Sequence, residues 1–282
     1  MFNELSRTDA GEAGRRLKDT VSRPAKLRYR PATLCSATCL AGREDRCSTL
    51  VRCMILFLNP FRFKNHAETI WGFSMANTIR FHEGDISEAD AARYQGAIAI
   101  DTETLGLVPR RDRLCVVQLS SGDGTADVIR IAAGQREAPN LVAMLADPAR
   151  QKIFHFGRFD IAVLFYTFGV TATPVFCTKI ASRLSRTYTD RHGLKDNLKE
   201  LLDIDISKQQ QSSDWAADIL SSAQLEYAAS DVLHLHALRD KLTARLLRDG
   251  RMELAEACFA FLPTRAKLDL LGWEETDIFA HS

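Results

Sequence analysis

The sequence over residues 97–131 reads AIAIDTETLGLVPRRDRLCVVQLSSGDGTADVIRI. Three apolar runs in it, at 97–101, 114–119 and 126–131, have the length and composition of buried strands. The connections between these runs are short, which favours antiparallel neighbours. The stretch therefore predicts a three-stranded meander within one sheet.

After this stretch the pattern changes to an alternation of helices and short strands. Further strands are predicted at 152–155 and 175–176. Helices are predicted at 141–146, 160–167, 179–184, 194–201, 222–248 and 252–261, the last of them ending before Pro263. Strand–helix–strand alternation favours parallel pairing. The fold class is thus α/β, with a mixed five-stranded sheet flanked by helices and a helical C-terminal part.

The composition is that of a globular protein, with 46% hydrophobic and 26% charged residues in 282. The net charge of +1 is unevenly distributed, because residues 1–74 carry 13 Lys/Arg against 7 Asp/Glu and the remainder carries 24 against 29. A protein that grips long duplexes depends on a basic face. The acidic body argues against that mode and is compatible with a short substrate held through metal ions.

Residues 1–74 differ from the rest, since they are rich in Arg and contain no sustained helical or alternating period. We expect little stable structure there, and a compact domain over 75–282. Two explanations stay open for the first segment. Either translation starts at Met75 and the segment is not part of the protein, or the segment is a genuine basic tail.

The cysteines and the apolar runs indicate a protein of the cytoplasm without a membrane segment. Cys115, Cys177 and Cys258 are scattered through the body as reduced core residues would be, and the N-terminal four match no common zinc spacing. The longest apolar run near the N-terminus, at 54–58, is too short for a signal-peptide core or a membrane span.

Four carboxylates and one tyrosine are candidates for chemistry. Asp101 and Glu103 end the first run, and because residues i and i+2 of a strand share a face, both project together. Hard cations such as Mg²⁺ choose oxygen ligands of this kind. Alone, such a pair is more often found in a solvated loop at the end of a strand.

Asp160 falls in the first turn of a predicted helix, where a carboxylate is also favoured as a cap. Tyr227 and Asp231 are four residues apart on a helix, which places the phenol and the carboxylate on one face. Tyr227 alone also fits a core position. Asp231 has apolar neighbours and needs a partner there, which a metal ion would supply.

In order and separation, Asp101-x-Glu103, Asp160 and Tyr227-x3-Asp231 resemble the tyrosine-bearing branch of the DEDD exonucleases. Two further stretches, QSSDW at 211–215 and QLEYAASDV at 224–232, resemble ribonuclease D. The short nanoRNase C group is similar over DTETLGLVPRRDR (101–113), FCTKIAS (176–182), TYTDRHGL (187–194) and DIFAHS (277–282).

The resemblance implies a ribonuclease H-like fold and a 3′–5′ exonuclease domain over 75–282. It implies a homo-octameric exoribonuclease that hydrolyses dinucleotides and other very short oligoribonucleotides to nucleoside 5′-monophosphates. Two Mg²⁺ or Mn²⁺ ions would be held by Asp101, Glu103, Asp160 and Asp231, and Tyr227 would orient the attacking water.

Substrate contacts are expected, from the resemblance or from their place beside Asp160, for Leu107, Phe154, His155, Ser213 and Trp215. Leu107 resembles a wedge between two bases but also fits an ordinary turn leucine, and His155 also fits a satisfied semi-buried histidine. Ser212 is expected near the site, and Lys208 and Arg158 are expected near phosphate.

Two other functions stay open. A general 3′–5′ exonuclease on longer RNA or single-stranded DNA would use the same chemistry in an open groove, and length preference would separate it. A catalytically silent nucleic-acid-binding module is the other, and the presence of all four acids with Tyr227 weighs against it.

Overall fold

The computed structural model describes residues 78–281. The expectations for residues 1–74 concern a part of the chain that lies outside this range. The strands are β1 (Thr78–Glu83), β2 (Ile98–Thr104), β3 (Leu114–Ser120), β4 (Thr125–Arg130), β5 (Lys152–Phe154) and β6 (Val175–Cys177). The helices are α1 (Glu88–Ala91), α2 (Pro139–Ala146), α3 (Arg158–Phe168), α4 (Thr178–Ser185), α5 (Leu194–Leu202), α6 (Ser222–Leu233), α7 (Leu235–Arg248) and α8 (Met252–Leu268), followed by a π-helical turn at Asp269–Trp273.

The strands form one mixed sheet in the order β1-β4-β3-β2-β5-β6. The meander β2-β3-β4 is antiparallel, whereas β5 pairs in parallel with β2 and β6 pairs in parallel with β5, as predicted. The α/β class with a mixed sheet is therefore confirmed. The predicted count of five strands was wrong, because β1 adds a sixth strand in parallel with β4. This edge strand contains no fully buried residue, so it lacks the apolar run that reveals a strand.

The buried core explains why the meander dominates the sequence pattern. Every residue of β3 is buried, because this central strand has neighbours on both edges and is covered on both faces. A small cluster, formed by Cys115, Val116, Val128, Trp215, Leu220 and Ala228, packs between the sheet and α6. This packing brings α6 against the strand that carries Asp101 and Glu103.

Two predicted helices have different bounds in the structure. The predicted helix 222–248 is two helices, which meet at His234. The predicted stop before Pro263 is wrong, since α8 continues through Pro263 to Leu268. Proline cannot donate the hydrogen bond of its own turn, but Phe259, Leu262 and Ala266 on the same helix are buried and keep α8 packed.

A buried carboxylate ties β4 to β1. Asp127 is fully buried and accepts hydrogen bonds from Arg80 Nε (2.8 Å), Arg93 Nη2 (2.8 Å) and Tyr94 Oη (2.6 Å), and His82 Nε2 lies 2.8 Å away. Burial alone would raise the Asp127 pKa, but the hydrogen bonds from Arg80, Tyr94 and His82 hold it below its ordinary value. Its oxygens are thus fully engaged with protein donors, which argues against a metal site here.

Cys115, Cys177 and Cys258 are free thiols, and the first two are buried. Within the described range, no helix combines the length and the apolar character needed to cross a membrane.

Candidate active site

Three carboxylates converge where β2 meets α6. The side chains of Asp101 and Glu103 leave the same face of β2, and Asp231 reaches them from α6, so that one oxygen of each lies within 4.8 Å of the others. The i, i+2 spacing on the strand places the first two together. The packing of α6 on the sheet adds the third.

Asp160 supplies a fourth carboxylate from the first turn of α3. It is 4% exposed, and Thr102 Oγ1, between Asp101 and Glu103 in the sequence, donates a hydrogen bond of 2.7 Å to its Oδ1. This bond anchors the side chain against β2. All four acids line one cavity.

The four carboxylates of the cluster require a cation in order to be ionised together. Burial and then the charges of the neighbouring acids raise the pKa of Asp101 well above its usual range and that of Glu103 to about 9. Burial likewise raises the pKa values of Asp160 and Asp231 to about 7. Because like charges in a shared buried site oppose ionisation, four ionised carboxylates need a counter-charge. An all-oxygen donor set of this kind fits Mg²⁺ or another hard divalent cation.

Tyr227 stands one helical turn before Asp231 on α6. Burial and the neighbouring carboxylates raise the pKa of its phenol. The Tyr227 ring packs against the ring of Trp215, with centroids 6.0 Å apart, and Trp215 is only 3% exposed. Tyr227 is therefore a neutral hydrogen-bonding group, and its ring is held in place by packing against Trp215.

The cavity has a volume of about 650 Å³. Of the predicted site residues, those that line it are Asp101, Glu103, Leu107, His155, Asp160, Ser213, Trp215, Tyr227 and Asp231. Ser212 and Lys208, named as expected neighbours, also line it. Its wall includes the cations Lys179 and Lys195 as well.

Phe154 is the predicted substrate-contact residue that lies elsewhere. Its side chain is fully buried in the hydrophobic core, because it ends β5 facing inward, so it offers no ring face to a base. Arg158 is also turned away, since its guanidinium is bound to Asp269 at 2.5 and 2.8 Å. Both placements correct the expectation that these side chains contact substrate.

Phe156 takes the place expected for Phe154, and sequence reasoning missed it. Its ring is 44% exposed in the cavity, with Lys179 Nζ 4.3 Å from the ring centroid. Its φ of 73° is strained for a bulky residue, a feature that concentrates at functional sites. The tight turn depends on Gly157, because a Cβ there would lie 2.7 Å from Phe154 Cβ. No local sequence pattern predicts a positive φ at Phe156.

His155 is held and uncharged at the edge of the site. Its Nδ1 lies 2.8 Å from Thr178 Oγ1. Burial, and then the charge of Lys179, lower its pKa to about 3. A neutral imidazole cannot pair with phosphate as a cation, so the lysines are the better candidates for phosphate contacts.

Comparison with known proteins identifies the group to which this site belongs. A family described as 3′-5′ exonuclease matches residues 82–247, more than half of the chain and all four carboxylates. The chain belongs to this 3′-5′ exonuclease family. Among curated relatives of this chain, ribonuclease D of Gluconacetobacter diazotrophicus is 35% identical over 170 residues, which cover 60% of this chain and 43% of that protein. The chain thus spans less than half the length of that relative.

Solved structures extend the comparison. A nuclease in its apo form is 88% identical, with a TM-score of 0.73, and the match covers 73% of this chain and 100% of that one. Brucella melitensis NrnC with bound Mg²⁺ is 67% identical, with a TM-score of 0.70, and the match covers 73% of this chain and 100% of that one. The same protein bound to pGG is 68% identical, with a TM-score of 0.70, and the match covers 73% of this chain and 99% of that one. The predicted ribonuclease H-like exonuclease fold and the likeness to ribonuclease D and nanoRNase C are confirmed.

Proposed function

We propose that this chain is a metal-dependent 3′–5′ exoribonuclease that hydrolyses very short oligoribonucleotides, dinucleotides above all, to nucleoside 5′-monophosphates. The observation that carries the proposal is the convergence of four carboxylates and Tyr227 in one cavity. The similar Brucella melitensis NrnC, bound to pGG, supports a short ligand. A cytoplasmic location stays a prediction.

The acids would hold two Mg²⁺ or Mn²⁺ ions, with Asp101, Glu103, Asp160 and Asp231 as ligands. Such ions, when bound, supply a nucleophilic water and neutralise charge on the leaving oxygen. The chain's own contribution is rigidity. Thr102 fixes Asp160, and the backbone of β2 fixes the relative positions of Asp101 and Glu103.

The size of the cavity supports a small substrate. Its volume of about 650 Å³ is that of a small-molecule site rather than of a groove for a long strand. Leu107 is 84% exposed at its wall, and Phe156 presents a ring, so that bases can pack on apolar groups. Lys179 and Lys208 supply positive charge for phosphate.

Cleavage of 5′-labelled RNA oligomers from two to about ten nucleotides, with Mg²⁺ or Mn²⁺, tests the proposed function. We expect the dinucleotide to be consumed fastest, since added nucleotides must extend beyond the cavity. Equal or faster cleavage of longer RNA would establish the general exonuclease instead. Absence of metal-dependent cleavage at every length would contradict the enzyme and favour the binding module.

The same assay includes Leu107→Ala and, as a matched control, Val108→Ala. Both residues are exposed in one loop, but only Leu107 lines the cavity. Because covering an exposed leucine side chain contributes about 1.5–3 kcal/mol, Leu107→Ala should lower kcat/KM for the dinucleotide by roughly 10–100-fold. Val108→Ala should behave as the wild type, and equal losses in the two variants would remove Leu107 from the substrate contacts.

Tyr227→Phe should lower kcat on the dinucleotide by about 100-fold, because the ring remains but the hydroxyl that orients the water is lost. Mg²⁺ affinity should not change, since the phenol is not among the proposed ligands. The measurements are steady-state kinetics and calorimetric titration with Mg²⁺. Tyr166→Phe is the control, because Tyr166 lies on α3 and does not line the cavity. An unchanged kcat in Tyr227→Phe would contradict the proposed role.

We also propose that the protein is a homo-oligomer, an octamer by its resemblance to the nanoRNase C group. The C-terminal segment supports contacts between copies, because Leu271 (69% exposed), Trp273 (44%) and Phe279 (77%) present apolar surface. Phe279 does pack against Phe261, with ring centroids 5.9 Å apart, so part of the segment docks on its own chain. Deletion of 273–282 should lower the mass measured in solution, and an unchanged mass would contradict a role for this segment in assembly.

A further inference from the structure

Gln118 is an unexplained polar residue in the centre of the sheet. It lies in the middle of β3 and is fully buried. Neither its amide nitrogen nor its amide oxygen has a hydrogen-bond partner among the described residues. Because a buried amide without partners destabilises a protein, such a group points to a neighbouring polar group with which it pairs in the functional state.

The sheet register places Gln118 directly opposite Asp101. The two residues are paired in the antiparallel ladder of β2 and β3, and the register shift of that ladder comes only later, between Glu103 and Thr104. Side chains of directly paired residues share one face and have Cβ atoms about 4.5–5.5 Å apart. The other cross-strand neighbour of Gln118 is the apolar Val128. The Asp101 side chain is therefore the polar group beside Gln118 across the ladder.

The acids of the cluster differ in the hydrogen bonds that they accept from other side chains. Asp160 has a side-chain donor, Thr102 Oγ1, whereas no side chain in residues 78–281 donates to Asp101. Carboxylates that bind metals are as a rule held by a hydrogen bond from a second layer of residues. The NH₂ group of an amide side chain is a suitable donor to a carboxylate oxygen.

We propose that Gln118 is a positioning residue, whose side-chain NH₂ donates a hydrogen bond to the Asp101 carboxylate when cations occupy the acid cluster. The bond fixes the orientation in which Asp101 presents its oxygens. The inference rests on the proposed function as far as metal binding is concerned. It is independent of which nucleic acid is cleaved.

The test uses Gln118→Met and Gln118→Leu, which keep most of the volume and remove the donor. Melting temperature is measured without metal, and Mg²⁺ affinity is measured by calorimetric titration without RNA. We expect an unchanged or higher melting temperature, because the unpaired amide is gone. We expect the Kd for Mg²⁺ to rise roughly 10–100-fold, as for other losses of second-layer donors.

Ser120→Ala is the matched control. Ser120 lies two residues further along β3, is fully buried, and donates from Oγ to the carbonyl oxygen of Thr125 at 2.7 Å. Its replacement should lower the melting temperature and leave Mg²⁺ affinity unchanged. Mg²⁺ affinity of the Gln118 variants within about twofold of the wild type would overturn the inference.

If neither Gln118 variant folds, the wild-type protein decides the question. A shift of the Gln118 NH₂ resonances when Mg²⁺ is added supports the inference, and unchanged resonances on Mg²⁺ binding overturn it. A chain that binds Mg²⁺ in this way but cleaves no RNA would contradict the proposed function and leave the role of Gln118 intact.

Discussion

Asp101→Asn should abolish metal-dependent cleavage, with kcat lowered about 1,000-fold or more, and should at the same time raise the melting temperature of the metal-free protein. The loss of activity follows because a metal ligand supports several kcal/mol of charge stabilisation in the transition state. The gain in stability follows because burial and the charges of Asp160, Asp231 and Glu103 disfavour the ionised form of Asp101 in the folded state. The asparagine amide carries no charge and avoids this cost. Steady-state kinetics and thermal unfolding with and without Mg²⁺ measure both effects.

The same acids determine how metal-free stability depends on pH. Their folded-state pKa values are raised, whereas in the unfolded chain they titrate near 4. The folded state therefore binds more protons between about pH 4 and pH 9, and its stability falls as pH rises through that window. Asp101→Asn should reduce this slope, and saturating Mg²⁺ should reduce it in the wild type.

Glu226→Gln provides the control for Asp101→Asn. Glu226 is an exposed acid on α6 that does not line the cavity, so its replacement should change neither kcat nor metal-free stability. Substantial cleavage by Asp101→Asn would contradict the proposed ligand set. A lower melting temperature in the metal-free variant would contradict the electrostatic account.

Asp127→Ala should destabilise the protein by about 3 kcal/mol or more, the largest stability effect that we expect from a single substitution. Removing one member of a buried ionic network leaves its partners without a counter-charge. Here Arg80, Arg93 and Tyr94 lose their shared acceptor, and the side-chain link between β1 and β4 is lost while the backbone pairing remains. Chemical denaturation measures the free energy of unfolding.

The pH dependence at Asp127 has the opposite sign to that of the acid cluster. Its pKa is lowered in the folded state, so the stabilisation is present above the unfolded-state pKa near 4 and is lost as pH falls below it. Glu83→Gln is the control, because the Glu83–Arg130 pair joins the same two strands with Glu83 59% exposed. That pair should contribute less than about 1 kcal/mol. Equal effects of the two substitutions would contradict the importance of the buried network.

Local spacing was sufficient to pair the candidate residues of the site, whereas their chemistry was predicted from the resemblance. Asp101 and Glu103 share a strand face, and Tyr227 and Asp231 share a helix face, because both periods are properties of the backbone alone. The meander was also predictable from local pattern, since 97–131 contains three short apolar runs that are typical of buried strands. No local pattern predicted that Asp160 and α6 lie against β2. That prediction came from the resemblance.

Tertiary structure decided what local patterns do not encode. Strand β1 joins the sheet at an exposed edge, so pairing and not apolar character defines it. Phe154 and Phe156 have the same side chain, yet the strained turn before Gly157 buries the first and turns the second into the cavity. Gln118 is an ordinary strand residue in the sequence, and only the register of β2 and β3 places it opposite Asp101. The fold class followed from the residues alone, because strand and helix periods are short-range properties, and the carboxylates were candidate metal ligands by residue type. Packing and register determined which side chains meet, because such contacts join residues far apart in the chain.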